Sequence, residues 1–308
     1  MSNSIASTSS IPRIQGGHQL PAAKQIDDRR DAKANNSLGS NAMQRVLAPL
    51  NPYETQKANQ LARTLAPTRH ASARFNSSTP SHAVGPYSGT QYTFTCCPTD
   101  HGAPGTGNFK LDDMLNSAFS SGTKTTISLT NEGDARHSTY YKRSQTTPSG
   151  QYTIKSYGTP EYTTMVNDRG RPVTASIFKN TVRNNHTGQI QEMKMIHVNG
   201  WPDQTAIEAK NELKLLSDVS KNLAANDLKK VLIHCTAGRN RTGSVTSELE
   251  MMNAASKGMK PNVDGVLRWM RQARVADAVA IPAQLQALAE SSIRLGRLAK
   301  PSGAGFMR

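Results

Sequence analysis

The run from Lys229 to Gly243, Lys-Lys-Val-Leu-Ile-His-Cys-Thr-Ala-Gly-Arg-Asn-Arg-Thr-Gly, constrains the fold of this chain more than any other stretch. The aliphatic residues Val231 to Ile233 read as a short central strand. Ser244 to Lys257 reads as a helix with Val245, Leu249 and Met252 on one side and Gly258 as its stop. Between them, His-Cys-x5-Arg-Thr is a tight loop delivered onto a helix N-terminus. Such a loop offers backbone N–H groups and the positive end of a helix dipole to an anion. Thr236, Ala237, Gly238, Arg239 and Asn240 would form the wrap, and Arg241 would clamp two phosphate oxygens through its guanidinium fork. That positive field favours a thiolate at Cys235, which facing a phosphate is an in-line nucleophile and forms a phosphocysteine. The Thr242 hydroxyl is placed to donate to the sulfur.

Composition narrows the setting. A hydrophobic fraction of 36% over 308 residues supports one sizeable core, and no apolar run is long enough to span a membrane. The net charge of +15 suits an anionic substrate or partner. Nucleic acid is disfavoured, because no basic run, aromatic-basic repeat or zinc spacing accompanies that charge. Three cysteines are too few for a disulfide scaffold, which points to a reducing compartment. Cys96-Cys97 with His101 offers no second ligand pair, so no metal or other cofactor is expected.

Along the chain, residues 1–48 are rich in Ser, Asn, Ala and Gln and are expected to be disordered, 49–300 to form the catalytic domain, and 301–308 to be a tail. Helices are expected at Glu54 to Leu65 and Leu111 to Phe119, with strands at Tyr92 to Thr95 and Lys124 to Thr130. Gly102 to Gly107 reads as a flexible loop. Gln151 to Tyr157, Val173 to Arg183 and Gln189 to Val198 read as neighbouring antiparallel strands. Thr205-Ala-Ile-Glu208 has the form of a capping box opening a helix to about Leu223. Asn262 is expected to cap a helix through Arg274, and Pro282 to start the last one. The fold class is α+β, a single domain with a twisted mixed sheet flanked by helices.

Expulsion of an alkoxide or phenoxide needs a proton, and His197-Val-Asn-Gly-Trp-Pro-Asp203-Gln-Thr-Ala supplies a candidate acid. Trp201 and Pro202 would stiffen a lid that carries Asp203 over the site. With His-Cys-x5-Arg-Thr, this segment resembles the cysteine-dependent protein tyrosine phosphatases, and among them the YopH-type effector phosphatases secreted by the type III route. Leu65-Ala-Pro67, Arg74-Phe75, Gly150 to Ser156 and Ala283 to Glu290 extend the similarity over residues 52–292.

The resemblance implies roles. Cys235 is the nucleophile, Arg241 the phosphate clamp, Asp203 the acid and then the base, and His234 the residue that holds the loop and tunes the thiolate. Gln204 contacts phosphate oxygens when the lid is shut, and Gln284 matches the second glutamine of a water-positioning loop. Glu132 matches the glutamate that orients the arginine, and Phe75 walls the pocket for a tyrosine ring, with Ser77 replacing an acidic residue nearby. Two departures stand out: Asn240 where the family has glycine, tolerated because Asn accepts unusual backbone angles, and Ala280 where it has the first water-positioning glutamine. The resemblance further implies phosphotyrosine proteins of a host cell as substrates, a secretion chaperone on the N-terminal segment, and delivery into the host cytoplasm. The alternatives are an inositol-phosphate or phosphoinositide phosphatase, which Arg239 keeps open, and a phosphotyrosine-binding pseudo-phosphatase.

Overall fold

A computed structural model describes residues 38–67, 79–98, 110–132, 134 and 139–299. Phe75, Ser77, His101, the glycine-rich loop at 102–107 and the tail at 301–308 lie outside them.

The described residues form one nine-stranded mixed sheet with helices on both faces. The strands are β1 (Ser81–Val84), β2 (Gln91–Cys96), β3 (Thr125–Ser128), β4 (Gln145–Thr146), β5 (Tyr152–Ser156), β6 (Tyr162–Asp168), β7 (Arg171–Asn184), β8 (Ile190–Asn199) and β9 (Lys230–Cys235). Their order is β1-β2-β9-β3-β8-β7-β5-β4, with β6 pairing β7. β2, β9, β3 and β8 run parallel, and the outer pairs are antiparallel. β9 lies in the parallel half with a partner on each side, which is why Val231 to Ile233 are continuously apolar.

Period-two alternation distributes β9 between two cores. Val231, Ile233 and Cys235 join the cluster shared with α4 (Ala209–Lys221), α5 (Asn240–Ser256), α6 (Val263–Ala273) and α7 (Pro282–Gly296). Leu232 packs on the other side with Leu111, Met114 and Leu115 of α3 (Leu111–Ser121), together with Tyr140, Tyr141 and Tyr152.

Several expectations hold closely. The Asn262 side chain accepts from Gly265 N–H at 3.0 Å, and Pro282 occupies the first turn of α7. Others need correction. The N-terminal segment does not lack structure through residue 48: Ser40–Leu47 is helix α1, burying Met43 and Val46. It is clasped to the last helix, because Arg297 donates to the carbonyls of Arg45, Ala48 and Pro49 at 2.9 Å and pairs with Glu54 of α2 (Pro52–Thr64). β6 was not expected: its burial alternates, but with Met165 exposed and Asp168 buried the sequence carries no apolar period of two. Its signal is the turn Arg169-Gly170, where both residues have positive φ (52° and 80°), as a two-residue hairpin turn requires. Thr205 does not cap α4, which begins at Ala209 without a side-chain cap; the Thr205 hydroxyl donates instead to the Pro202 carbonyl at 2.7 Å. Finally, α5 begins at Asn240 rather than Ser244 and is buried on every side, not along one stripe.

A helix surrounded by protein must satisfy its polar residues internally. Glu248 of α5 and Glu212 of α4 lie fully buried against each other. Ser291 donates to Glu248 at 2.5 Å and Ser244 to Glu212 at 3.4 Å. Burial pushes Glu212 up to about 7, and burial together with the Glu212 charge pushes Glu248 well above the carboxylate range. The folded state therefore holds protons that the unfolded chain releases above its ordinary carboxylate pKa. This contribution is fully present in acid and is lost as pH rises through about 7. Thermal denaturation between about pH 5 and 8 should show wild-type stability falling by up to ~1.4 kcal/mol per pH unit per retained proton relative to Glu248→Gln. Parallel curves for the two proteins would show that Glu248 holds no proton in the fold.

Candidate active site

The C-terminal ends of the parallel strands gather three loops, as open sheets of this kind commonly do around a ligand. Residues 236–239 follow β9, residues 129–134 follow β3, and residues 200–208 follow β8. The first loop runs from Cys235 into α5, whose N-terminus has no side-chain cap and so presents unsatisfied N–H groups to the loop interior. Gly238 has φ of 66°, and a Cβ there would lie 2.1 Å from the Thr95 carbonyl oxygen, so glycine is required.

Arg241 has no exposed side-chain surface. Its Nη1 donates to the Trp201 carbonyl at 2.9 Å and pairs with Asp134 Oδ2 at 2.7 Å; its Nη2 donates to Thr236 Oγ1 at 2.7 Å and lies 3.3 Å from Asp203 Oδ1. The guanidinium thus joins the nucleophile loop, the lid and the β3 loop. Asp134 is itself fixed, accepting from Asn131 N–H at 2.9 Å. Asn131 Oδ1 accepts from Gly200 N–H at 2.9 Å, locking the β3 loop to the base of the lid. Gly200 is a second obligatory glycine, with φ of 85° and a virtual Cβ 2.2 Å from the Pro172 carbonyl oxygen.

On the lid, Trp201 is buried and its indole N–H donates to the Thr205 carbonyl at 3.1 Å. Pro202 accepts from the Thr205 hydroxyl, so the turn closes on itself and leaves Asp203 at the tip, 47% exposed. Gln204 takes a left-handed backbone, φ 60°, and its amide lies 3.5 Å from Asp203 Oδ2. Gln284 is fully buried on α7 and donates to the Thr205 carbonyl at 2.7 Å, so it braces the lid from behind. Cys235 is 3% exposed. His234 Nε2 lies 2.9 Å from the Tyr140 hydroxyl. The Thr242 hydroxyl is buried with no hydrogen-bond partner among the described residues.

Three expectations change here. Glu132 does not orient Arg241; it pairs with Lys142 at 2.6 Å, half exposed, and Asp134 takes the place. Its signal was positional, an acidic residue just beyond a parallel strand neighbouring β9. Asn240 is tolerated not through unusual angles, since it starts α5 without positive φ, but through its side chain, which accepts from Ala280 N–H at 3.1 Å. Arg239 turns to Asp277 in an ion pair rather than lying as an uncommitted cation. Sequence reasoning missed Arg274 altogether. It is buried at the end of α6, donates to the Gly238 carbonyl at 3.1 Å, and is held down to about 10 by burial, an effect that the nearby Cys96 and Cys235 oppose. A basic residue in a last helical turn reads as dipole complement, so nothing local marked it.

The model of the protein-tyrosine phosphatase family matches residues 117–293, more than half of the sequence and including Asp203, Cys235 and Arg241. The chain belongs to the protein-tyrosine phosphatase family. As a tyrosine phosphatase domain it is similar in fold to the catalytic domain of human protein tyrosine phosphatase non-receptor type 18, at 19% identity and a TM-score of 0.54 over 70% of this chain and 72% of that one. A PTPN18 structure concerned with distinct HER2 tyrosine phosphorylation sites gives 18% identity and 0.53 over 71% and 73%. No curated protein matches the chain in sequence.

The network makes Asp134 testable in this phosphatase. Asp134→Asn should lower kcat/KM for p-nitrophenyl phosphate by about 10²-fold, the scale of a misplaced binding group. Glu132→Gln should leave it within about twofold, as expected for an exposed pair. The reverse ranking in steady-state kinetics would restore Glu132 to the role.

Proposed function

We propose that the enzyme hydrolyses phosphotyrosine in proteins through a phosphocysteine. The observation that carries this is the convergence of Asp203 from the lid and Thr236 from the nucleophile loop on one fully buried guanidinium, Arg241, beside Cys235. Arg241 and the N–H groups of 236–241 bind the phosphoryl oxygens. The Cys235 thiolate attacks phosphorus in line, and Asp203 protonates the departing phenoxide. Water then attacks the phosphocysteine, its proton passes to Asp203, and the thiolate leaves with the Thr242 hydroxyl donating to it. His234 holds the loop through Tyr140, Trp201 and Pro202 set the lid, and Gln204 closes over the phosphate.

No metal is invoked in this sequence of steps. Among the described residues no helix is long and apolar enough to cross a membrane. The commitment of Arg239 to Asp277 weighs against a polyphosphorylated inositol as the preferred substrate, since it neutralises the extra cation such a substrate would seek. The basic balance and the Ser-rich first 37 residues support the reading of a type III effector acting on host phosphotyrosine proteins, with Phe75 against the substrate ring. The N-terminal segment then carries the export signal and the chaperone site.

Cys235→Ser should abolish turnover while phosphate binding persists. Asp203→Ala should lower kcat by roughly 10²–10⁴-fold and flatten the alkaline limb of the pH profile; an unchanged profile would place the acid elsewhere.

Phosphate release from phosphotyrosine peptides should exceed release from inositol hexakisphosphate at equal concentration. The opposite order would overturn the substrate while leaving the chemistry of Cys235. A reporter fused to residues 1–37 that fails to enter host cells through a functional type III apparatus would overturn the effector role alone.

A further inference from the structure

The two departures from the family pattern, Asn240 and Ala280, lie forty residues apart in the chain and meet in the fold. Ala280 N–H donates to Asn240 Oδ1 at 3.1 Å. The segment that presents this N–H is stapled to the nucleophile loop a second time by the ion pair of Arg239 with Asp277. Its path is enforced by Val279, a buried β-branched residue at φ of 56°, held against Gly243, where a Cβ would lie 2.6 Å from Val279 Cγ2. Such backbone outliers persist only where the surroundings over-determine them.

A carboxamide has an acceptor end and a donor end. The Ala280 N–H engages the acceptor of Asn240 and so fixes the orientation of the group. Its Nδ2 has no partner among the described residues and is not sealed from solvent. The other carboxamides at the site are placed differently: Gln284 Nε2 is bound to the Thr205 carbonyl, and Gln204 lies exposed beside Asp203 on the lid. Ala280 has no polar side chain. Asn240 is therefore the one oriented amide donor at the junction of the nucleophile loop and the 275–281 segment among the described residues, and it immediately precedes the phosphate clamp.

We propose that the Asn240 carboxamide positions the water that hydrolyses the phosphocysteine, replacing from the nucleophile loop the group that Ala280 lacks. The inference rests on the phosphocysteine reading above. The water oxygen bonds to phosphorus as the S–P bond breaks, the electron pair leaves on Cys235 Sγ, and the water proton goes to the Asp203 carboxylate, giving inorganic phosphate. Nδ2–H donates to one lone pair of the water and directs the other at phosphorus. Ordering a nucleophile in this way accelerates a step without any proton transfer by the ordering group.

The full-length protein with p-nitrophenyl phosphate provides the test, with the first turnover followed by stopped flow and the phosphoenzyme by rapid quench. Asn240→Ala should lower steady-state kcat by about tenfold or more while the rate of the first turnover holds, so that phosphoenzyme accumulates. With glycerol present, it should divert a larger share of phosphoryl groups to glycerol phosphate than wild type does, because water has lost its anchor. Adding Ala280→Gln to Asn240→Ala should restore kcat, whereas Ala280→Gln alone should not raise it. If Asn240→Ala does not fold, Asn240→Gly, the residue usual in the family, replaces it in every arm. Equal loss in the first and later turnovers, an unchanged acceptor ratio, or a kcat raised by Ala280→Gln alone would overturn the role of Asn240. Undiminished turnover in Cys235→Ser would instead overturn the phosphocysteine itself.

Discussion

A guanidinium with no exposed surface is expensive to bury. Arg241 obliges its surroundings to answer that charge. Asp134, Asp203, Thr236 and the Trp201 carbonyl do so from three separate loops. Each loop is drawn to one point by the need to avoid an uncompensated buried charge, and that point adjoins Cys235. Folding the loops and assembling a phosphate site are thus the same physical problem. Lysine could not solve it, having no planar fork to meet several acceptors in fixed directions.

The sheet divides this labour. Its parallel half, β2, β9, β3 and β8, delivers three loops to one edge. The antiparallel half, built on the long β7, supports the lid from below: the Pro172 carbonyl occupies the space that a side chain at Gly200 would need. The glycine at the start of the lid and the glycine within the nucleophile loop are both set by a carbonyl from a neighbouring strand.

What the sequence disclosed was whatever depends on nearest neighbours. Cys235, Arg241 and Thr242 stand at fixed spacing around a strand–loop–helix turn, Trp201 to Asp203 form a stiff turn, and Asn262 and Pro282 mark helix starts. The α+β class followed from strands preceding helices. What it hid depends on partners remote in the chain. Glu132 and Asp134 are two residues apart, and only the direction of the β3 loop decides which reaches Arg241. The burial of α5 on every side is set by α4, α6 and α7, so its own pattern showed only one stripe. Thr205 and Glu208 have the spacing of a capping box, yet Thr205 is used by the lid, where two side chains need its carbonyl. Helix α1 buries only Met43 and Val46, too few to show a period, and Arg294 and Arg297, some 250 residues on, satisfy the carbonyls at its end.

The proposed nucleophile and the proposed acid are borne by parts of very different protection. Cys235 leads into α5, a helix enclosed on all sides, whereas the Asp203 side chain at the tip of its loop is nearly half exposed. Amides at the centre of such a helix exchange with solvent only when the whole domain opens, while loop amides exchange through small local fluctuations. Displacing the start of α5 therefore costs an opening near the global one, whereas moving Asp203 away costs only a local fluctuation of its loop. On the proposed roles, mild warming or denaturant reaches the enzyme first through Asp203, leaving a folded protein whose turnover is already diminished.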